Sequence, residues 1–483
     1  MICGKLIIFP LISLIYSDLI ITTMLPEAFR KRIHQQPYID PGGLLRALEE
    51  ESPVSVRINY AKWLHSPVAG MQVPWCEDGW YLESRPSFTL DPLFNAGCYY
   101  PQEASSMFLE QVFLQTKGEK TNLRVLDLCG APGGKSTHLS SLIGDKGFLV
   151  SNEVIRQRAS VLSENLTKWG LSNSVVTQAD PASFRKLPGF FDMILVDAPC
   201  SGEGMFRDEV ARNEWSEENA DHCAVRQKRI LMDVWPSLRE NGIMIYSTCT
   251  FNPEENERNI KWLLAKNEAE TVRLDLTGFD GITKIDQEGI YGYGFHPGKI
   301  LGEGLFVAVI RKKSAGNGRA ERSNKGNDQK ISSDEKKCVT EWTDFPQEQL
   351  VKWGDGIIAL PCSYEDMHLL SGALKIVNAG TTIFTAKKKN FLPSHEVALS
   401  VRLKKNQFPS VDLDLSDALS YLRRDNFKAP FSERGWNLVT YKGINLGFIN
   451  NIGTRFNNYY PVEWRIRMSI LESFKANLIY WAE

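Results

Sequence analysis

The sequence carries almost no charge imbalance, few cysteines and no long uninterrupted apolar run. Across 483 residues, 56 lysines and arginines face 58 aspartates and glutamates, a net charge of -2. The nine cysteines are irregularly spaced and form no disulfide framework, and no Cys-x-x-Cys pair offers a zinc or dithiol site. Reduced thiols, a cytoplasmic location and no metal are therefore expected. Residues 6–21 are apolar but interrupted by Pro10, Ser13, Ser17 and Asp18. That run is too short for a spanning helix, which needs about 20 predominantly apolar residues, so no membrane association is expected. Lys5 and the run after it outline a signal peptide, yet no small-residue cleavage site precedes Met24. Residues 1–23 are expected to be a non-native or disordered extension. No internal repeat is visible.

What is present is 43% hydrophobic and 11% aromatic residues, enough to bury cores, in a length that fits two to four domains. A balanced total charge does not exclude a nucleic-acid partner, because charge acts through its distribution. Residues 1–311 hold 31 basic and 39 acidic residues, a net of -8. Residues 312–337 hold 8 and 4, residues 338–380 hold 2 and 6, and residues 381–483 hold 15 and 9. The stretch 312–337, KKSAGNGRAERSNKGNDQKISSDEKK, has no aromatic and one branched apolar residue, so it cannot offset its own ordering entropy and reads as a solvated linker. The expected divisions are 24–115, an N-terminal α+β accessory domain; 116–311, a catalytic domain; 338–400, a connecting subdomain; and 401–483, a mainly β domain.

Within the catalytic stretch, residues 124–128, 148–151, 174–177, 191–196, 243–246 and 305–310 are short apolar runs. Amphipathic helical patterns over 155–169 and 218–238 lie between several of them. Such alternation implies an α/β fold with a doubly wound, mostly parallel sheet. Ligands bind such sheets at the carboxyl ends of the strands.

After the first run comes DLCGAPGGKST (residues 127–137). Gly130, Gly133 and Gly134 permit a tight turn and close ligand approach, and a helix opening near Lys135 presents free N–H groups. A P-loop needs Gly, four residues, then Gly-Lys-Ser; counting back from Gly134 places Cys129 where the first glycine belongs. The alternative is a nucleoside-cofactor site of the methyltransferase kind. Glu153, after the second run, is placed to accept from ribose hydroxyls, and Asp180, after the third, from an adenine amino group. Each of these acids alone also reads as a surface carboxylate or a helix cap.

After the fourth run comes DAPCSGEG (197–204), and after the fifth STCT (247–250). Free cysteines are most often small core residues. Cys200 and Cys249, however, both follow strands that should be neighbours at the ligand edge, which suggests covalent chemistry. Carbon 5 of cytosine needs such help: a thiolate adding to carbon 6 makes carbon 5 nucleophilic toward a sulfonium methyl donor. Asp197 is placed to hold ring N3 and the exocyclic amine. A thiol must ionise below its free value of about 8.5 for this to proceed at neutral pH.

With these residues in hand, the chain resembles the Sun-type RNA cytosine-5 methyltransferases, most closely the RsmF branch that acts on small-subunit ribosomal RNA. The resemblance rests on YPQEASSM (100–107), the Cys129–Lys135 loop, DAPCSGEG, YSTCT (246–250) and NPEEN (252–256), across residues 57–311. It implies a Rossmann-like methyltransferase core. It implies S-adenosylmethionine held by Cys129, Gly130, Ala131, Pro132, Gly133, Gly134, Lys135, Glu153, Asp180 and Asp197. It also implies Cys249 as nucleophile and Cys200 as the residue that helps release product. DNA cytosine methyltransferases use the cysteine of a Pro-Cys motif as attacker, which here is Cys200, the rival assignment.

GINLGFINNIGTRFNNYYP (443–461) is similar to the PUA-like RNA-binding segment of RsmF-type enzymes. Arg455, Asn457 and Tyr459 suit phosphate contacts and stacking. Residues 387–389, Lys404, Lys405, Arg423 and Arg424 add positive charge. The expected partner is 16S ribosomal RNA in a small ribosomal subunit, met by a monomer. A P-loop-like nucleotide hydrolase and a non-catalytic RNA-binding assembly protein are the alternative readings.

Overall fold

All six apolar runs are strands, and five of them make the parallel heart of a ten-stranded sheet. The computed structural model describes residues 25–287, 289–314, 330–387, 390–404, 406–427, 433–468 and 477–482. The extension expected over 1–23, most of the linker, and Lys388, Lys389 and Lys405 lie outside the described residues.

The chain opens with short helices α1 (Glu27–Ile33) and α2 (Pro41–Ala47) and a four-stranded sheet. That sheet comprises β1 (Val54–Ile58), β2 (Met71–Gln72), β3 (Gly79–Leu82) and β4 (Tyr99–Pro101), in the order β2-β3-β1-β4. Helix α3 (Pro92–Asn95) precedes β4, and α4 (Leu109–Thr116) leads into the large sheet.

The parallel strands are β5 (Arg124–Asp127), β6 (Phe148–Asn152), β7 (Ser174–Thr177), β8 (Phe191–Asp197) and β9 (Leu238–Thr248). Apart from the first residues of β9, they are fully or nearly fully buried, as strands covered on both faces must be. Helices α5 (Gly134–Ile143), α6 (Arg156–Trp169), α7 (Glu209–Glu214) and α8 (Glu217–Val234) run between them. Helix α6 stops where Gly170 turns left-handed at φ 81°, and α8 starts where the Ser216 hydroxyl accepts from the Asn219 amide. The spatial order β9-β8-β5-β6-β7 reverses direction between β5 and β8, which puts the topological switch point at the ends of those two strands.

Antiparallel strands extend both edges. After helix α9 (Glu257–Lys266), β10 (Ala269–Thr271), β11 (Thr283–Gln287), β12 (Ile290–Phe295) and β13 (Leu305–Lys312) build out from β9. At the other edge β7 is covered by a strand from much later in the chain. Beyond α10 (Ser333–Trp342), strands β14 (Leu350–Trp353) and β15 (Gly356–Ala359) and helix α11 (Tyr364–Ala373), β16 (Ile376–Ala379) pairs antiparallel with β7, Ile376 opposite Thr177. The stretch expected to be a connecting subdomain thus closes an otherwise open sheet edge.

The chain ends in β17 (Thr381–Lys387), β18 (Asn390–Pro393), helix α12 (His395–Leu399), β19 (Ser410–Asp412), helix α13 (Leu415–Arg423), β20 (Gly435–Tyr441), β21 (Ile444–Asn451) and β22 (Phe456–Asn458). Strands β14, β15, β17 and β18 form one sheet and β19 to β22 another. The last sheet does not stand apart. Its Val439 and Ile449, with Leu419 and Leu422 of α13, share one apolar core with Val56, Ile58 and Tyr99 of the N-terminal sheet and with Trp63 in the loop after β1. Trp481 lies between Trp63 and Tyr99, with ring centres 5.7 and 5.3 Å away. Among the described residues, no helix is long and apolar enough to cross a membrane.

Candidate active site

The loop after β5 is shaped by its neighbours rather than by its own side chains. Gly130 donates its amide to the carbonyl of Asn152, 2.8 Å away. A β-carbon at Gly130 would collide with the hydroxyls of Ser151 and Ser136. Those hydroxyls are 2.6 Å apart, and Ser136 also donates to Asp127 Oδ2 at 2.6 Å. Gly133 begins α5 at φ 125°, a conformation that favours glycine. Asn152 joins three strand ends: its amide nitrogen donates to the carbonyls of Leu128 and Ala179, and its oxygen accepts from Thr177 Oγ1 and the Ala179 amide. Asn152, Ser136, Ser151 and Asp127 were not singled out by sequence reasoning. Their signal is only that small polar residues occupy buried strand ends.

The predicted acids stand at successive strand ends with different surroundings. Glu153, after β6, is 5% exposed. One of its oxygens accepts from the Ile155 amide at 3.0 Å, and the other is 3.3 Å from Arg158 Nη1. Arg158 in turn donates to the Ala131 carbonyl. Asp180, after β7, is exposed; it accepts from the Ala182 amide at 3.0 Å as the cap of a short turn and lies 3.4 Å from Arg229. Asp197 ends β8, accepting from Lys135 Nζ at 2.8 Å and from Ser247 Oγ at 2.6 Å. Burial alone would lower the Lys135 ammonium, but Asp197, with Cys249 and Asp127 nearby, holds it above its ordinary value. Burial raises the Cys129 thiol, with Asp127, Asp197 and Glu153 adding to the effect. The donor set suits a nucleoside cofactor: a cradle that a β-carbon would fill, amides at a helix start, and carboxylates at the ends of β6 and β7.

The two cysteines meet beyond the ends of β8 and β9. Cys200 Sγ is 3.0 Å from Cys249 Sγ, and the Cys249 amide donates to Cys200 Sγ at 3.2 Å. Their loops are clamped together by a buried carboxylate. Glu255 accepts from the Ser201 amide (2.9 Å), Ser201 Oγ (2.5 Å) and Gln227 Nε2 (3.0 Å), and Ser201 Oγ is 2.9 Å from Thr250 Oγ1. Tyr246 braces the clamp by donating to the Glu255 carbonyl. A second carboxylate, Glu203, accepts from the Phe251 amide and Trp215 Nε1 and pairs with Arg32 of α1. The Cys200 thiol is held well above its ordinary value by its hydrogen bond to Cys249, then by burial and by the charges of Cys249 and Glu255.

Metal-ligand side chains also meet elsewhere. Cys76, Glu110 and His138 bring ligand atoms within 4.8 Å of one another, all buried. They already bond to one another: Glu110 Oε2 lies 3.2 Å from both Cys76 Sγ and His138 Nε2, and its other oxygen accepts from the Glu77 amide. Burial raises the Cys76 thiol, while burial and then Arg57 pull His138 down to about 4. The hydrogen bonds within the cluster and the raised Cys76 thiol make it a hydrogen-bonded knot and not a ready set of metal ligands.

In the C-terminal sheet, Arg455, Asn457 and Tyr459 are exposed. Arg423 and Arg424 are not free for a ligand. Arg423 pairs with Asp425 at 2.7 Å and donates to the Met468 carbonyl, while Arg424 donates to the Tyr460 carbonyl. Lys404 Nζ donates to the Thr340 carbonyl at 2.6 Å.

The strand order, the glycine cradle at the switch point and the acids beyond β6 and β7 define a Rossmann-type methyltransferase. Three family descriptions match the chain: the N-terminal domain of 16S rRNA methyltransferase RsmF over residues 25–104, 16S rRNA methyltransferase RsmB/F over 112–311, and the methyltransferase RsmF PUA domain over 408–466. Ribosomal RNA small subunit methyltransferase F of Shewanella loihica is 30% identical over 425 residues, covering 84% of each chain. Its counterpart in Vibrio vulnificus is 32% identical over 410 residues, covering 81% of this chain and 84% of that one. Among solved structures, a methyltransferase homolog protein from Pyrococcus horikoshii aligns with a TM-score of 0.50 at 28% identity, over 59% of this chain and 94% of that one. NSun6 from the same organism, crystallised with SFG, aligns with a TM-score of 0.50 at 19% identity over 60% of this chain and 99% of that one, a likeness of fold. The chain belongs to the ribosomal RNA small subunit methyltransferase F family, and S-adenosylmethionine is its cofactor.

Proposed function

We propose that this protein methylates carbon 5 of a cytosine in 16S ribosomal RNA, in the cytoplasm and as a monomer, through a covalent adduct between Cys249 and carbon 6 of the base. The observation that carries this reading is the 3.0 Å approach of Cys200 and Cys249 beside Asp197 at the switch point. Neither a nucleotide hydrolase nor a passive RNA binder has a use for two thiols converging there.

S-adenosylmethionine, when bound by the Cys129–Lys135 loop with Glu153 and Asp180, supplies an electrophilic methyl group on its sulfonium sulfur. Asp197 holds ring N3 and the exocyclic amine of the cytosine. Cys249, as thiolate, adds through sulfur to carbon 6, and the ring electrons displaced to carbon 5 would form the bond to the methyl carbon as its bond to the sulfonium sulfur breaks, leaving the neutral thioether S-adenosylhomocysteine. The carbon 5 proton then passes to water, its electron pair restores the ring double bond, and the carbon 6–sulfur bond breaks, returning the thiolate. Cys200 assists this release.

Electrostatics support Cys249 over Cys200 as the attacker. The Lys135 ammonium feels the charge of Cys249, whereas Cys200 feels the carboxylate of Glu255. The hydrogen bond to Cys249, burial and the nearby Glu255 carboxylate keep the proton on Cys200, which suits it to assisting release rather than to attack. A cytosine in a loop or single strand is the favoured target, since unstacking one from a duplex costs a few kcal/mol. Exposed Arg455 and Tyr459 give the C-terminal sheet a phosphate contact and a stacking surface.

Denaturing gels with labelled ribosomal RNA test the assignment. Cys200→Ala is expected to accumulate a covalent RNA adduct and Cys249→Ala to form none; the opposite pattern makes Cys200 the nucleophile.

A further inference from the structure

Among the described residues, the largest fully buried cation sits directly behind the cofactor loop. Arg57, on β1 of the N-terminal sheet, is 0% exposed. Its Nε donates to Gln102 Oε1 at 2.9 Å. Its Nη2 donates to Thr137 Oγ1 at 2.6 Å and reaches the Gly134 carbonyl at 3.4 Å, both in the first turn of α5. The guanidinium carbon lies 4.4 Å from the ring centre of Trp169. Nη1 has no partner, and no carboxylate pairs with Arg57 among the described residues. Cys76, Asp78 and Glu110 act on it only at longer range, and burial draws it down to about 10.

Packing accounts for the shape of this side chain but not for its charge. Burying a guanidinium without an ion-pair partner is costly. A helix start is also where a cation is least favoured, because the backbone N–H groups there already carry positive partial charge. The combination makes sense if the first turn of α5 must receive an anion. Of the groups on S-adenosylmethionine, only the amino-acid carboxylate is one.

We infer that Arg57 is a positioning residue whose buried charge strengthens binding of the cofactor's carboxylate end through the first turn of α5. The N-terminal sheet would then contribute to cofactor affinity without touching the cofactor. This rests on the cofactor lying at the Cys129–Lys135 loop.

The experiment compares, by calorimetry on the full chain, S-adenosylmethionine with decarboxylated S-adenosylmethionine, which lacks only that carboxylate. Arg57→Met is expected to weaken the first by roughly tenfold, the order of a unit charge acting across several ångströms, and the second by less than twofold. Arg57→Lys, which keeps charge but not the fork, should keep most of the preference for the carboxylated ligand. Equal weakening of both ligands, or none, overturns the inference. If Arg57→Met does not fold, as judged by its thermal transition, Arg57→Gln replaces it under the same criteria. Gly130→Ala is the separate control for the loop: if it leaves both affinities intact, the cofactor's location is wrong and not merely the role of Arg57.

Discussion

At the cofactor half of the sheet edge, the loop after β5 is fixed by neutral groups, Ser136 in the first turn of α5 and Ser151 and Asn152 on β6; at the thiol half, the loops after β8 and β9 are fixed by buried carboxylates, Glu203 and Glu255. A carboxylate gathers several donors at one point, as Glu255 does with two from Ser201 and one from Gln227. It therefore holds two loops from different strands in strict register. It also places an anion beside Cys200, whose thiol is held above its ordinary value. The cofactor half needs shape, whereas the thiol half needs shape and a bias in where a proton resides.

The sharpest way to break this comparison is Glu255→Gln. An amide offers one acceptor where the carboxylate met three donors, and its NH2 would face donors. Turnover is expected to fall by roughly 100-fold, the scale of an ångström of misplacement at reacting groups. Affinity for S-adenosylmethionine should stay within twofold. Single-turnover kinetics and calorimetry measure the two. A parallel loss of cofactor binding would mean the halves are one unit.

The reciprocal change is Gly130→Ala, whose β-carbon would collide with the Ser151 and Ser136 hydroxyls. Cofactor affinity is expected to drop by roughly tenfold or more, since backbone or strands must shift in a packed interior. The rate at which iodoacetamide alkylates Cys249, followed by mass spectrometry, should not change. Slower alkylation would show the loop also shapes the thiol site.

The two halves also differ in how much of them could be read from sequence. The runs over residues 124–128, 148–151, 174–177, 191–196 and 243–246 identified the strands because parallel strands buried on both faces must be continuously apolar. Residues directly following such runs fall at the ligand edge by topology alone, so Cys200, Cys249, Glu153, Asp180 and Asp197 could be proposed. The groups that hold them could not. Glu255 stands inside the motif NPEEN, yet nothing local says that its partner is Ser201. Arg57 reads as an ordinary charged residue in a strand until β1 is packed against α5. Likewise the charge-poor stretch before Gly380 gave no hint that β16 would cover β7, because an edge strand is recruited by an open ladder rather than by its own pattern. Arg423 and Arg424 were read as part of a basic surface. Both turn back to carbonyls of the last segment, contacts that only the folded chain brings together.

The smallest expected effect concerns a fully buried carboxylate in the cofactor half. Asp127 is 0% exposed and has one oxygen without a partner. Burial, opposed by the Ser136 hydrogen bond and reinforced by Asp197, pushes it up to about 7. Its folded value thus lies above that of an unfolded aspartate, about 3.9, and the folded protein binds this proton more tightly. The resulting stabilisation is complete below about pH 4 and is lost as pH rises through about 7. Asp127→Asn keeps an acceptor for Ser136 but has no proton to lose. Scanning calorimetry between pH 5 and 8 should therefore show the natural chain's midpoint falling, on the order of 2 °C, relative to that of the variant. If the two profiles run parallel, Asp127 is ionised in the fold. The cofactor half would then be organised by a buried anion, as the thiol half is, and the contrast between neutral and charged scaffolding would rest on Asn152 and Ser151 alone.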